Sequence, residues 1–220
     1  VRLISAAIGS GGKRGAPSSM TVRITVAALA LTACFTEASE PPRPIPAVAA
    51  DPTLGPRPSG DTVAQVDVAR YVGTWYEIAT IPQGFQARCA ATTATYAPID
   101  ATTVSVWNRC RLDAVDGELI EIRGSARVTD PSNARLEVDF GFARAPYWIV
   151  DLGEAAPGEP YPWAVVSNPD RSALWILART PALSAARYDA LIERLTARGF
   201  EPARLRRTAQ PVTPTPDAAP

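Results

Sequence analysis

Residues 134–142 read Ala134-Arg135-Leu136-Glu137-Val138-Asp139-Phe140-Gly141-Phe142. Leu136, Val138, Phe140 and Phe142 fall on one parity, and Arg135, Glu137 and Asp139 on the other. Alternation at period two marks a strand with one buried face. Working outward, segments rich in Val, Ile, Tyr, Trp and Thr predict further strands near 73–80, 91–98, 103–111, 118–129, 146–152, 162–167 and 173–179. Turn residues divide them: Pro98-Ile99-Asp100, Asp113 to Gly117, Asp130 to Asn133, Ala145-Pro146, Gly153 to Pro162, and Asn168-Pro169-Asp170. Links of mostly hairpin length join antiparallel neighbours. Eight such strands leave two raw edges unless the sheet closes. The expected fold is therefore all-β, an eight-stranded antiparallel up-and-down barrel.

One convincing helix follows Pro181. Ser184 is the expected N-cap, and Tyr188, Leu191, Ile192 and Leu195 recur at i, i+3, i+4 and i+7. Gly199 sits where a left-handed C-terminal residue belongs, with Phe200 just beyond it. A single apolar stripe means a single buried face, so this α-helix is expected outside the barrel. A short ninth strand is expected near 204–209.

The two ends of the chain are different in kind. Lys13, Arg14 and Arg23 precede the apolar run Ile24 to Leu31, followed by Thr32-Ala33-Cys34. Basic residues, a short apolar core and small residues describe an export signal, and the run is too short to span a bilayer. Leu31-Thr32-Ala33-Cys34 resembles the lipobox of bacterial lipoproteins, which implies lipidation at Cys34; the other reading is a plain cleaved signal. Val1 and Met20 are both candidate starts. Seven prolines between Pro41 and Pro58 stiffen the next stretch towards an extended tether. The expected organisation is an export segment over 1–34, a Pro-rich tether over 35–62, the barrel over 63–210 and a tail over 211–220. Phe35 follows the cysteine where an aspartate would retain a lipoprotein at the inner membrane, so the resemblance implies the outer membrane, with the barrel facing the periplasm.

The formal net charge is zero, which gives no electrostatic case for a nucleic-acid partner. The chain has no histidine, so the commonest metal ligand and general base is missing, and neither a metal site nor a cofactor is expected. Three cysteines divide as one plus two. Cys89 and Cys110 lie about equally far from the turn at Pro98–Asp100, which places them across a hairpin at disulfide range. Two separate buried thiols are the alternative.

Two segments carry a family resemblance. Gly73-Thr74-Trp75-Tyr76-Glu77-Ile78-Ala79 resembles the Gly-x-Trp-Tyr signature that opens the first strand of lipocalins. Ser167-Asn168-Pro169-Asp170-Arg171, then Leu174-Trp175-Ile176-Leu177-Ala178-Arg179-Thr180-Pro181, looks like the last-strand signature of bacterial outer-membrane lipocalins and their apolipoprotein D relatives. The likeness covers about residues 63–210. It implies that Trp75 plugs one end of the barrel and that Arg179 packs over it, with Gly73 as part of the same motif. The family's middle motif, Thr-Asp-Tyr, is missing; Asp151-Leu152-Gly153-Glu154 stands there instead.

A barrel of eight strands has an interior wide enough for side chains or one small ligand. Parity nominates its lining. Trp175 and Leu177 share a face with Arg179. Phe140 and Phe142 belong to the apolar parity of residues 134–142. Tyr147 and Ile149 match a position that contacts ligand in retinol-type lipocalins. Trp107 is added, although it alternates against Val104 and Val106. Glu77 shares parity with Trp75 and is either a lone inward carboxylate near the closed end or a salt-bridged structural residue. The expected function is binding and transport of a small hydrophobic ligand such as a fatty acid or lysophospholipid, from a lipid anchor and without catalysis. The alternatives are an enzyme using Cys89 or Glu77, and an envelope interaction protein.

Overall fold

A computed structural model describes residues 53–55, 58 and 60–211. The expected export segment with Cys34, most of the Pro-rich tether and the tail beyond Pro211 lie outside the described residues. A short helix α1 (Val68–Tyr71), which the sequence reading did not anticipate, leads into β1 (Gly73–Thr80). Seven strands follow: β2 (Cys89–Pro98), β3 (Thr103–Leu112), β4 (Leu119–Val128), β5 (Arg135–Asp139), β6 (Arg144–Leu152), β7 (Trp163–Ser167) and β8 (Leu174–Ala178). Helix α2 (Ala185–Ala197) and the two-residue β9 (Arg206–Arg207) complete the order. Each strand from β2 to β8 pairs antiparallel with the next, β8 pairs with β1, and β1 pairs with β2. The sheet closes on itself.

Closure depends on two irregularities. A bulge after Glu77 puts Ala79, not Ile78, opposite Ile176, and bends β1 as it leaves Trp75. A second, between Ala90 and Thr93, draws β2 away from β1, and β9 takes the vacated edge through Ala79↔Arg207 and Thr80↔Arg206.

The closed sheet has a core on each side. Inside lie Trp75, Tyr96, Val104, Val106, Ala126, Leu136, Val138, Ile149, Ala164, Val166 and Leu177. Outside, Ile78, Val150, Trp163, Val165, Leu174 and Ile176 pack under Leu191, Leu195 and Phe200 of the helical segment. β7 is buried along its whole length because it serves both cores. Helix α2 begins as its sequence predicts, with the Ser184 hydroxyl accepting from the Arg187 N–H. It ends with Gly199 donating to Thr196 and Phe200 donating to Leu195, the paired bonds of a glycine C-cap.

An ion cluster pins the helix to the sheet. Asp151 stands in the place of the missing middle motif, on the outer face of β6. It receives Arg194 Nε at 2.6 Å and Nη2 at 3.0 Å, with Arg198 Nη1 at 3.7 Å. Arg194 also donates to the Leu54 and Gly55 carbonyls, and Arg198 to those of Val150, Gly60 and Asp61. One carboxylate thus organises the helix, the sixth strand and the segment that enters the barrel.

Three expectations are corrected. Strand β5 stops at Asp139, because the Asp139 carboxylate accepts the Gly141 N–H and the Arg144 Nε–H and folds the chain into a turn. That turn spans residues 140–143, and Ala145 and Pro146 lie inside β6. The β2–β3 register centres nearer residue 101, pairing Tyr96 with Val106 and Cys89 with Leu112. Cys89 and Cys110 are bonded all the same, diagonally, with Cα atoms 5.4 Å apart. Asp151→Ala leaves two guanidiniums short of their carboxylate in a buried site, and is expected to cost about 3 kcal/mol in a denaturant titration. The paired change Asp151→Leu with Arg194→Met should recover most of that loss.

Candidate lumen and its sealed end

The chain entering β1 and the chain leaving β8 meet at one end of the barrel. Trp75 is fully buried there, and its indole N–H donates to the Tyr71 carbonyl at 2.8 Å. The Arg179 guanidinium lies 3.7 Å from the indole centroid, a cation–π contact. Its nitrogens donate to five carbonyls, those of Arg70, Tyr71, Val72, Thr74 and Tyr161, at 2.9–3.2 Å. Burial lowers its pKa, and the surrounding tyrosines partly offset this. Gly73 makes room for it. With φ at +96° and Arg179 Nη1 3.3 Å from where a Cβ would stand, no other residue fits without strain.

Above this floor the inward side chains are mostly apolar. Ile149 and Leu177 are buried in the inner cluster, and Phe140, Tyr147 and Trp175 pack partly buried against it. Phe140 crosses towards β4 because Gly124 faces it, and a Cβ there would stand 2.7 Å from the Phe140 ring. Five of the seven nominated lining residues are thus brought together. Two are not. Trp107 lies on the outer face, held between the guanidiniums of Arg109 at 4.7 Å and Arg123 at 4.0 Å, while Val104 and Val106 take the inner positions. Phe142 sits on the β5–β6 turn and is 80 % exposed.

At the other end, around the mouth, Ile122, Phe140 and Trp175 remain partly accessible although they point inward, and Ile120 is 42 % exposed. The rim is apolar, with Phe85 85 % exposed after β1 alongside Phe142, Val115 and Leu119. Two ion pairs stand at it, Arg88 with Asp113 and Arg144 with Asp139. A separate concavity of about 770 Å³ lies by the sealed end, lined by Arg70, Asp130, Arg135 and Glu154 among others. It shares none of the aromatic lining of the lumen.

Glu77 does point inward, but it is tied to the segment after β1 rather than to the floor. Its carboxylate accepts from Gln86 at 2.9 Å and from the Thr208 hydroxyl, and Gln86 in turn accepts the Trp175 indole N–H at 3.3 Å. Gln86, Thr208 and the three-hydroxyl group of Tyr71, Tyr96 and Tyr147 were not anticipated. Tyr147 is hydrogen-bonded to Tyr71 at 2.7 Å and to Tyr96 at 3.0 Å. No sequence spacing joins these residues; only barrel closure does. Cys89, considered as a nucleophile, is in a disulfide.

Residues 66–210 match the family model for a lipocalin-like domain. The chain belongs to the lipocalin family. It is 37% identical over 158 residues to the outer membrane lipoprotein Blc of Citrobacter freundii, covering 70% of this chain and 85% of that one. Apolipoprotein D of Mus musculus is 31% identical over 168 residues, covering 71% and 84%. Among solved structures, insecticyanin from the tobacco hornworm Manduca sexta superposes with a TM-score of 0.53 at 18% identity, covering 72% of this chain and 88% of that one; this likeness concerns the fold.

Burial raises the Glu77 pKa above the ordinary carboxyl value, against the opposing pull of Thr208, Gln86 and Arg206. The folded lipocalin therefore binds this proton more tightly than the unfolded chain does. Stability is lost as pH rises from the ordinary carboxyl range through the folded value. Glu77→Gln, in which the Thr208 hydroxyl can turn to accept, should raise the melting temperature at pH 7 and converge with the parent below pH 4. Arg179→Lys replaces a planar fork by a point charge and should cost about 2 kcal/mol in the same melts.

Proposed function

We propose that this lipocalin carries single-chain amphiphiles, fatty acids or lysophospholipids, in the bacterial cell envelope. The observation that carries the reading is a lumen sealed at Trp75 and Arg179, apolar along Phe140, Ile149 and Leu177, and reachable at Ile120 and Trp175. Such a shape shields a chain from water at about 0.8 kcal/mol per buried CH₂. On this reading the ligand contacts are Phe140, Tyr147, Ile149, Trp175 and Leu177; Trp107 and Phe142, placed outside the lumen, are left out.

The relatives named as outer membrane lipoproteins support an envelope location. The Leu31–Cys34 segment supports an anchor, with the thiol of Cys34 lipidated and the tether joining it to the barrel. Labelled palmitate supplied to growing cells should then enter the protein, and Cys34→Ser should abolish labelling and release the protein from membranes. Equal labelling of the variant would remove the anchor from the account.

Binding itself is tested on the delipidated protein. A fluorescent fatty acid should be taken up at micromolar concentration with about one site per chain, and an unlabelled long-chain acid should displace it. A barrel that takes up neither would contradict the carrier reading.

A further inference from the structure

The tyrosine group on the lumen floor has a proton to spare. Three hydroxyls joined by two hydrogen bonds contain three protons and use two. Tyr96 donates to Tyr147, so the free proton belongs either to Tyr71 or to Tyr147. Tyr71 is nearly sealed beneath the indole of Trp75, at 5.0 Å between ring centroids, and among the described residues its hydroxyl has no second partner. A buried donor left without a partner costs about 1–3 kcal/mol. The arrangement that avoids this has Tyr71 donating to Tyr147, which leaves the Tyr147 proton directed into the lumen, where Tyr147 is still partly accessible. Burial pushes all three phenols up, Tyr96 to about 12, so they stay protonated donors at any ordinary pH.

The charges of the lumen are asymmetric in the same sense. At the floor Arg179 spends its hydrogen bonds on backbone carbonyls, and among the described residues it pairs with no carboxylate. Its charge reaches the tyrosines. Nearer the segment after β1, Glu77 adds a carboxylate of its own. An anionic group in the lumen is attracted towards the Arg179 charge at the floor.

We propose that the floor is an anion-receiving subsite, at which the Tyr147 hydroxyl donates to the carboxylate of a long-chain acid bound acid end down, with the Arg179 charge behind it. This subsite rests on the carrier reading and narrows its ligand class to acids. It also sets the orientation, with the tail towards the apolar rim.

The test compares hexadecanoic acid, its methyl ester and 1-hexadecanol by displacement of one fluorescent probe at pH 8. The parent protein should bind the acid about tenfold more tightly than the ester, the scale of one hydrogen bond to a charged group. Tyr147→Phe should erase that preference, leaving acid and ester bound about equally. Tyr71→Phe should keep the preference, because Tyr147 then has its proton free. With a ¹³C-carboxyl acid, the bound ligand should titrate at lower pH in the parent than in Tyr147→Phe. Equal affinity for acid and ester, or an equal loss of all three ligands in Tyr147→Phe, overturns the subsite alone. Failure of all three to bind the parent protein overturns the carrier reading and the subsite with it.

Discussion

The guanidinium of Arg179 on the indole of Trp75 is the contact on which the rest of the barrel depends. It ties the end of the last strand to the start of the first, beside the β1–β8 ladder that closes the sheet. The arginine's hydrogen bonds also gather the carbonyls of Arg70, Tyr71, Val72 and Thr74, the stretch that crosses the barrel end. Lysine has the charge but not the geometry to do this. Trp75 and Arg179 make one end of the closed sheet's interior a floor. With that end shut, the interior becomes a lumen with one mouth, and its chemistry runs from a positive, hydroxyl-bearing floor to an apolar rim.

The outer face obeys a separate constraint. Helix α2 covers the strands around β7, and the cluster of Asp151, Arg194 and Arg198 fixes it there while holding the carbonyls of residues 54, 55, 60 and 61. The stretch before the barrel is therefore bound to its wall, so any tether entering from the N-terminal side meets a fixed point beside the helix. The two faces differ: inside, Phe140, Tyr147 and Trp175 stay partly accessible, and outside the apolar side chains are packed under a helix.

Much of this was legible from residue order alone. Period-two alternation and turn residues marked all eight strands, and the stripe from Tyr188 to Leu195 with Ser184 and Gly199 marked the helix, because these signals are local. Trp75 and Arg179 were legible through the two end motifs. What failed was parity carried past a strand end or across an unassigned face. Phe142 continues the parity of Phe140, but the Asp139 carboxylate ends the strand before it. Trp107 alternates against Val104 and Val106, which hold the inner parity, and its indole lies outside between Arg109 and Arg123. The tyrosine group and the Gln86–Trp175 bond were not legible, since each hydrogen bond joins residues more than 50 positions apart that meet only when the barrel closes. The disulfide was found for a reason only partly right, because the β2–β3 register centres near residue 101 and makes the pair diagonal.

The central claim is that the closed barrel holds one amphiphile in its lumen. Native mass spectrometry of the protein extracted gently from its own envelope addresses that most directly. The expected result is a bound species of one lipid-like molecule per chain, lost when excess fluorescent fatty acid is added. The contradicting result is a bare chain that also retains none of the acid supplied to it.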